Sequence, residues 1–188
     1  MTRIVAGSAR GRRLVVPAGV ATRPTSSRAR EALFSSLEAE VGPWSGLGFL
    51  DLYAGSGAVG LEAASRGAAP VVLVESERPA WHAARENVAD LGLAGVVLHR
   101  EPVEVFLAHP SGTRFAVVFL DPPYAMDDEE VGVALAALVE HSWLAPQAVV
   151  VVERATRGAG PRWPPGLAAS RSRRYGDATL WYGRGDGA

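Results

Sequence analysis

The organisation of this chain follows from one segment, Gly48-Phe49-Leu50-Asp51-Leu52-Tyr53-Ala54-Gly55-Ser56-Gly57-Ala58-Val59-Gly60. Its early residues, Phe49–Leu52, have the apolar character of a buried strand. The pattern Gly55-x-Gly57-x-x-Gly60 follows at once, and a helix-like run from Ala58 to Arg66 comes after it. A strand, a glycine loop and a helix in this order are typical of nucleotide-binding α/β folds, because glycines allow a tight turn and a close approach of the ligand.

Two acidic residues accompany this loop. Asp51 lies near the end of the first strand, where its carboxylate would repel a pyrophosphate but attract a ligand that carries ammonium and sulfonium groups. Glu75 comes twenty residues after Gly55, at the end of the apolar run Val71–Val74, and it can accept hydrogen bonds from ribose hydroxyls. The spacing therefore favours S-adenosylmethionine over a dinucleotide as the ligand.

A second motif, Asp121-Pro122-Pro123-Tyr124, follows the apolar run from Phe115 to Leu120. The carboxylate of Asp121 and the carbonyl of Pro122 are candidate acceptors for the hydrogens of an exocyclic amine, and the ring of Tyr124 offers a face on which a base can stack. A rigid turn with a packed tyrosine is the structural alternative. The position after a buried strand, together with the glycine loop, favours the amine pocket.

Strands and helices alternate regularly from the glycine loop onward, which predicts an α/β fold with a doubly wound, mostly parallel, Rossmann-like sheet. A C-terminal antiparallel hairpin, Leu167–Tyr175 and Ala178–Tyr182, is expected to follow. Ligands of such sheets bind at the carboxyl ends of the strands, so Asp51, Glu75 and Asp121 are expected in one crevice. The predicted parallel strands are Phe49–Leu52, Val71–Glu75, Val96–His99, Ala116–Leu120 and Ala148–Glu153.

The N-terminal residues predict a small β-hairpin, with strands Ile4–Ala6 and Leu14–Val16. The loop between them carries three arginines, and its polarity predicts a tip that does not pack and that suits phosphates. We therefore predict two units: residues 1–24 form a hairpin extension suited to phosphate contact, and residues 25–188 form the main domain with the glycine loop and Asp121.

Charge is distributed unevenly along the chain, although the formal net charge is only −1. All 19 basic residues are arginines, and seven of them precede the first acidic residue, Glu31. Seven more follow Glu153, whereas the segment from Glu31 through Glu153, both included, carries 18 acidic residues and five arginines. Two basic ends beside an acidic centre indicate a polyanion-binding surface formed by the termini. A merely solvated arginine-rich surface is the alternative.

Composition excludes several other classes of protein. A hydrophobic content of 48% excludes a disordered chain. There is no cysteine, and the four histidines have no ligand spacing, so we expect neither disulfides nor a metal site. No apolar run of membrane-spanning length and no signal-peptide core are present, which leads us to expect a cytoplasmic protein without membrane contact.

These motifs together resemble one family. The glycine loop and Asp121-Pro122-Pro123-Tyr124 resemble class I S-adenosylmethionine-dependent amino-methyltransferases. More specifically, the chain resembles the RsmD family, the bacterial 16S ribosomal RNA guanine-N2 methyltransferases. The segments that carry this closer resemblance are Arg3–Gly7, Arg10–Leu14, Arg23–Thr25, Arg28–Phe34, Asp51–Arg66 and Tyr175–Tyr182.

The resemblance implies roles for individual residues. Asp51, Gly55, Ser56 and Gly57 would hold the methionine part of S-adenosylmethionine, and Glu75 would hold the ribose. Ser76 and Glu101-Pro102 would border the adenine, where related enzymes often have Asp or Asn and then a small residue. Asp121, Pro122 and Tyr124 would be catalytic. The residues expected to contact RNA are Arg3, Arg10, Arg12, Arg13, Arg23 and Arg28.

The resemblance also implies a substrate, namely 16S ribosomal RNA in the small ribosomal subunit or an assembly intermediate, and a monomer is expected. An acceptor-only carboxylate at Asp121 matches the adjacent N1–H and N2–H donors of guanine. Three alternatives stay open: an amino-methyltransferase acting on DNA at adenine N6 or cytosine N4, a non-catalytic ribosome-assembly factor, and an NAD-binding oxidoreductase.

Overall fold

In a computed structural model, residues 2–17 and 27–186 are described, and they form one large sheet, a small hairpin and helices on both faces of the large sheet. The helices are α1 (Ser27–Val41), α2 (Ala58–Arg66), α3 (Arg78–Leu91), α4 (Val103–Leu107) and α5 (Asp128–Glu140). The strands are β1 (Thr2–Arg3), β2 (Arg13–Leu14), β3 (Phe49–Leu52), β4 (Val71–Val74), β5 (Val96–His99), β6 (Phe115–Leu120), β7 (Leu144–Ala155), β8 (Leu167–Tyr175) and β9 (Ala178–Gly185).

The large sheet has the strand order β5-β4-β3-β6-β7-β9-β8. The five strands from β5 to β7 pair in parallel, and β9 then pairs antiparallel with both β7 and β8. The chain first builds outward from β3 through β4 to β5 and then returns to the other side of β3 with β6. The order therefore reverses between β3 and β6, and the predicted doubly wound sheet with its C-terminal hairpin is confirmed.

Two apolar cores lie on opposite faces of this sheet because successive strand residues point to opposite sides. One core joins α1 and α2 to alternate strand residues such as Phe49, Phe119 and Val151. The other joins α4 and α5 to residues such as Leu50 and Leu120. All four residues of β3 are buried, as expected for a strand covered on both faces.

The N-terminal hairpin is present, but its pairing differs from the sequence prediction. Thr2 pairs with Leu14 and Arg3 with Arg13, so the predicted strands Ile4–Ala6 and Leu14–Val16 were wrong. The reason lies in distant side chains that take the backbone hydrogen bonds of both segments. Glu62 on α2 accepts the N–H groups of Val5 and Ala6 at 2.7 and 2.9 Å. Asn87 on α3 accepts the N–H of Val15 at 2.7 Å.

The hairpin tip also packs, contrary to the sequence prediction. The N–H of Ser8 donates to the carbonyl of Ser65 at 2.7 Å, and Ala9 is buried. Gly7 adopts φ of 81°, and a Cβ added there would lie 1.8 Å from the Ser65 carbonyl oxygen. The backbone of the tip is therefore docked on α2, while its arginine side chains remain on the surface. The predicted boundary between residues 24 and 25 lies outside the described residues.

Within residues 2–17 and 27–186, none of the helices combines the length and apolar character that crossing a bilayer requires. The same residues contain no cluster of three or more His, Cys, Asp or Glu side chains that could hold a metal ion.

Candidate active site

A row of carboxylates crosses the carboxyl edge of the parallel strands. Each strand from β5 to β7 ends at or close to one acidic residue, so the row follows the spatial order of the strands rather than the order of the chain. From β5 to β7, its members are Glu101, Glu75, Asp51, Asp121 and Glu153. A row of acidic groups along one edge of the sheet suits a cationic ligand.

Asp51 is the most deeply buried acid of this row, with 1% of its surface exposed. Its Oδ2 atom accepts the backbone N–H of Gly60, in the first turn of α2, at 2.8 Å. Burial raises the pKa of Asp51 to about 7, with Glu75 adding to the rise and the Gly60 hydrogen bond opposing it. A positively charged ligand would relieve this penalty, because it favours the ionised carboxylate.

The glycine loop and Glu75 are bonded to each other. The N–H of Gly55 donates to Oε2 of Glu75 at 2.7 Å, and the N–H of Glu77 donates to Oε1 at 2.7 Å. Gly55 and Gly57 adopt φ of 58° and 78°, values that L side chains rarely reach. Burial raises the pKa of the Glu75 carboxyl despite these two N–H donors. The bonds fix the carboxylate beside the loop.

The residues around the glycine loop could hold S-adenosylmethionine. A Cβ added at Gly55 would meet no atom within 4 Å, whereas one added at Gly60 would lie 2.2 Å from Leu73. The loop thus packs tightly where it meets the sheet and is open at Gly55. With Asp51 and Glu75 beside it, the acceptor set matches an ammonium group and ribose hydroxyls. Ser56, between the two glycines, is 8% exposed.

Asp121 directly follows β6 and is only partly exposed. Burial raises the pKa of its carboxyl well above the usual range; Glu153 and Asp51 add to the rise, and Arg154 opposes it. The register places Asp51 opposite Phe119, and the N–H of Asp121 continues this pairing beyond β6 by donating to the carbonyl of Leu52 at 3.4 Å. Residues two apart on a strand share a face, which brings Asp121 to the side of the sheet that carries Asp51.

The rest of the Asp121-Pro122-Pro123-Tyr124 motif forms a turn with an exposed ring. Pro122 is buried, and the carbonyl of Pro123 accepts the N–H of Met126 at 2.9 Å. Tyr124 is 62% exposed, the highest value among the exposed large hydrophobic side chains of the described residues. A ring in this position is accessible to a base that approaches this edge of the sheet from solvent.

Glu153 is a residue that the sequence reasoning did not assign to the site. It is 6% exposed and belongs to β7, where Leu120 pairs with Val152, so Glu153 lies beside Asp121. A sequence signal was present, since Glu153 ends a predicted apolar strand just as Asp51 and Glu75 do. The adjacency of β6 and β7, which makes this acid a neighbour of Asp121, has no local signal in the sequence.

Arg154 holds the segment that follows the motif. Its Nη2 atom donates to the carbonyl of Met126 at 2.7 Å and to Oδ1 of Asp128 at 3.1 Å. Asp127 caps α5 in a capping box with Glu130, which starts the helix directly after this turn. The helix cap and the arginine together restrict the turn that carries Tyr124.

Ser76, Glu101 and Pro102, the expected adenine border, lie at the carboxyl ends of β4 and β5 on the other side of the loop. Ser76 is exposed and follows Glu75. Glu101 is half-buried, with its Oε1 3.4 Å from Nδ1 of His99, and Pro102 is the residue from which α4 begins. The structure therefore brings the predicted cofactor residues to one edge of the sheet.

The predicted RNA-contacting arginines fall into three groups. Arg3, Arg10, Arg12 and Arg13 are exposed on the hairpin, and Arg12 donates to the carbonyl of Asp90 at 2.7 Å. Arg28 is exposed in the first turn of α1. Arg23 lies outside the described residues. The hairpin that carries four of these arginines is thus bound to α2, which follows the glycine loop, and to α3, which follows Glu75.

Known proteins match the chain over most of its length. Residues 2–184 match a family model described as Conserved hypothetical protein 95. Ribosomal RNA small subunit methyltransferase D of Escherichia coli K12 is 36% identical over 171 residues, which cover 91% of this chain and 83% of that protein. The chain belongs to the RsmD family.

Solved structures agree with membership of the RsmD family. The Escherichia coli protein yhhF superposes with a TM-score of 0.86 and 31% identity, covering 100% of this chain and 99% of that chain. A hypothetical protein from Thermus thermophilus superposes with a TM-score of 0.80 and 39% identity, covering 97% and 98%. The resemblance inferred from the hairpin, the glycine loop and the closing strands is confirmed at the level of the family.

Proposed function

We propose that this protein transfers a methyl group from S-adenosylmethionine to the exocyclic N2 of a guanine in 16S ribosomal RNA. The single observation that carries the proposal is the position of Asp121, which lies one strand away from Asp51 and on the same face of the sheet. Asp121, the acceptor for an amine, then lies near the glycine loop, which would hold the methyl donor. The name of the Escherichia coli relative, a small-subunit ribosomal RNA methyltransferase, supports RNA as the substrate.

Asp51, the glycine loop and Glu75 hold the cofactor in this scheme. S-Adenosylmethionine supplies a methyl group bonded to a positively charged sulfur. Ionised Asp51 attracts the ammonium group, and Glu75, fixed by the N–H of Gly55, accepts hydrogen bonds from the ribose. Ser76, Glu101 and Pro102 border the adenine. The positive charge of the ligand offsets the repulsion among the acids at this edge.

Asp121 and the carbonyl of Pro122 act on the target nitrogen. The lone pair of an exocyclic amine is delocalised into the ring, so the free amine is a poor nucleophile. Acceptors on its N–H groups turn the lone pair toward the methyl carbon and stabilise the positive charge that develops on nitrogen. As the new N–C bond forms and the C–S bond breaks, one N–H proton leaves to an acceptor such as Asp121 or to water.

Tyr124 presents its ring to the base that enters. Stacking of a base on an aromatic side chain is worth on the order of 1–3 kcal/mol. A guanine paired within a helix cannot place its N2 beside Asp121, so the nucleotide must be unpaired or flipped out. The exposure of Tyr124, three residues after Asp121, supports this mode of entry.

The arginines of the hairpin bind the phosphates around the target nucleotide, together with Arg28 and Arg23. We infer that the substrate is the small ribosomal subunit or one of its assembly intermediates, that the protein works in the cytoplasm, and that it does so as a monomer. Residues 1–24 then act as an RNA-binding extension of the catalytic domain, residues 25–188.

Mass spectrometry of digested 16S ribosomal RNA tests this function. Cells that lack the protein should lose one N2-methylguanine, and the wild-type gene should restore it while a D121A gene should not. Purified protein should also methylate small-subunit particles from the deletion strain and leave DNA unmodified. An unchanged set of methylated nucleotides in the deletion strain, or methylation of adenine or cytosine in DNA, would overturn the proposal.

A further inference from the structure

Asn87, on α3, joins two segments that are far apart in sequence. Its Nδ2 atom donates to the carbonyl of Val15 and to the carbonyl of Ser56, both at 2.9 Å. Its Oδ1 atom accepts the N–H of Val15 at 2.7 Å. An asparagine amide has two N–H donors, so both are used, and the side chain is only 2% exposed.

One of these segments is the glycine loop, which would hold the cofactor. Ser56 lies between Gly55 and Gly57, and its carbonyl shares a rigid peptide plane with the N–H of Gly57. That N–H donates to the carbonyl of Ala54 at 2.8 Å, closing the turn of the loop. The bond from Asn87 to the carbonyl and the bond from the N–H to Ala54 together fix the orientation of this peptide, whose flanking glycines permit a wide range of backbone angles.

The other segment is the hairpin. Val15 directly follows β2, which carries Arg13, and it makes two hydrogen bonds with one amide. The two bonds resemble the hydrogen bonds between neighbouring β-strands, with the Asn87 side chain in the place of the second strand. A shift of β2 relative to α3 must break it or move the amide, and moving the amide disturbs the Ser56 carbonyl.

Ser65 anchors the same hairpin by a different route. Its Oγ atom accepts the N–H of Ala9 at 2.9 Å and donates to the carbonyl of Ala6 at 2.6 Å. Both bonds go to the hairpin, and Ser65 lies near the end of α2, away from the glycine loop at its start. The hairpin thus has one anchor that includes the glycine loop, Asn87, and others, such as Ser65 and Glu62, that do not.

We propose that Asn87 is a positioning residue that couples the two ligands: RNA held by the hairpin raises the affinity of the glycine loop for the cofactor. The proposal rests on the proposed function for the identity of both ligands. By linkage, the cofactor raises the affinity for RNA by the same factor. Coupling between sites is typically about 5- to 150-fold, and a single amide that bonds both segments fits the lower part of that range.

The test is equilibrium dialysis of radiolabelled S-adenosylhomocysteine, which binds without turnover, against the full-length protein. Affinity is measured alone and with saturating small-subunit particles from the deletion strain. The wild type should bind at least about fivefold more tightly with particles. N87A should reduce this ratio to near one and weaken binding in the absence of particles. N87D, which keeps the side-chain volume and the acceptor for Val15 but loses both donors, should do the same if N87A folds poorly.

S65A is the matched control. It loosens the hairpin without touching the loop, so it should weaken particle binding while the affinity ratio stays at the wild-type value. A ratio near one in the wild type, or a wild-type ratio in a folded N87D protein, would overturn the coupling. A wild type that binds S-adenosylhomocysteine but methylates no particle would contradict the proposed function instead.

Discussion

The backbone N–H of Gly60 donates to Oδ2 of Asp51 at 2.8 Å, so the helix that follows the cofactor loop is tied back to the strand that precedes the loop. Gly60 comes nine positions after Asp51 in the sequence, and the glycine loop connects them. The approach is close because Gly60 has no side chain. A Cβ there would lie 2.2 Å from Cδ2 of Leu73 and 3.1 Å from Oδ2 of Asp51.

We therefore expect Gly60→Ala to lower both stability and cofactor affinity. Inserting a methyl group into a packed core costs about 1–3 kcal/mol, and here it also pushes on the Asp51 carboxylate, which we propose to bind the ammonium group. Thermal denaturation and cofactor titration measure the two effects. Gly132→Ala is the matched control, since Gly132 is also helical and its added Cβ would meet only the Arg162 carbonyl at 3.9 Å. That control should be neutral or more stable than the wild type.

Cofactor affinity should rise with pH through the region near 7. Burial raises the pKa of Asp51 to about 7, and the ammonium group requires the ionised form. The affinity measured at pH 8 should exceed that at pH 6, and D51N should bind weakly with a much smaller pH dependence. A wild-type affinity that is flat or falls between these pH values would contradict the assignment of Asp51.

The same shift predicts the stability of the ligand-free protein. The carboxyl of Asp51 holds its proton more tightly in the folded state than in the unfolded chain, where its pKa has the ordinary value of 3.8. Its contribution to the free energy of unfolding is therefore complete below that value and is lost as pH rises through about 7. Denaturation of the wild type and D51N at pH 5 and pH 8 should show a larger loss with pH in the wild type.

Glu153 and Arg154 should shift the pH dependence of methyl transfer in opposite directions. Glu153 raises the pKa of Asp121, and Arg154 lowers it. E153Q should move the acid limb of the rate profile to lower pH, and R154Q should move it to higher pH. Single-turnover rates at several pH values measure both. Shifts of the acid limb in the same direction in both variants would show that this limb does not reflect the ionisation of Asp121.

Salt dependence should identify the RNA surface. Arg10→Glu should weaken particle binding and reduce the slope of log affinity against log salt by about 0.7 for each phosphate of single-stranded RNA that the side chain no longer neutralises. Arg114→Glu is the control, because Arg114 is exposed just before β6 and therefore lies at the opposite edge of the sheet from the crevice. Equal salt slopes in the two variants would show that the hairpin tip does not contact RNA.

The sheet and the central site could be predicted well from the sequence, because their signals are local. The bounds of β3 and α2 match the predicted Phe49–Leu52 and Ala58–Arg66, since apolar periodicity and glycine punctuation define them without distant partners. Asp51, Glu75 and Asp121 meet at one edge because parallel strands share it.

What could not be predicted depends on distant partners. The hairpin register was wrong because Glu62 and Asn87, more than fifty residues away, take the hydrogen bonds that a regular ladder would use. Glu153 was missed because only the β6–β7 pairing makes it a neighbour of Asp121. The polar tip packs because a glycine with positive φ brings its backbone against α2.

The most direct test of the proposed function separates cofactor binding from methyl transfer in one variant. For D121A and the isosteric D121N, cofactor affinity and the single-turnover rate on small-subunit particles are measured with the same preparation. We predict affinities within a few-fold of the wild type and rates lower by on the order of 10²–10³-fold or more, because in the proposed mechanism Asp121 contacts the target amine. Parallel loss of affinity and rate, or transfer at the wild-type rate, would contradict the assignment of Asp121 as the acceptor for that amine.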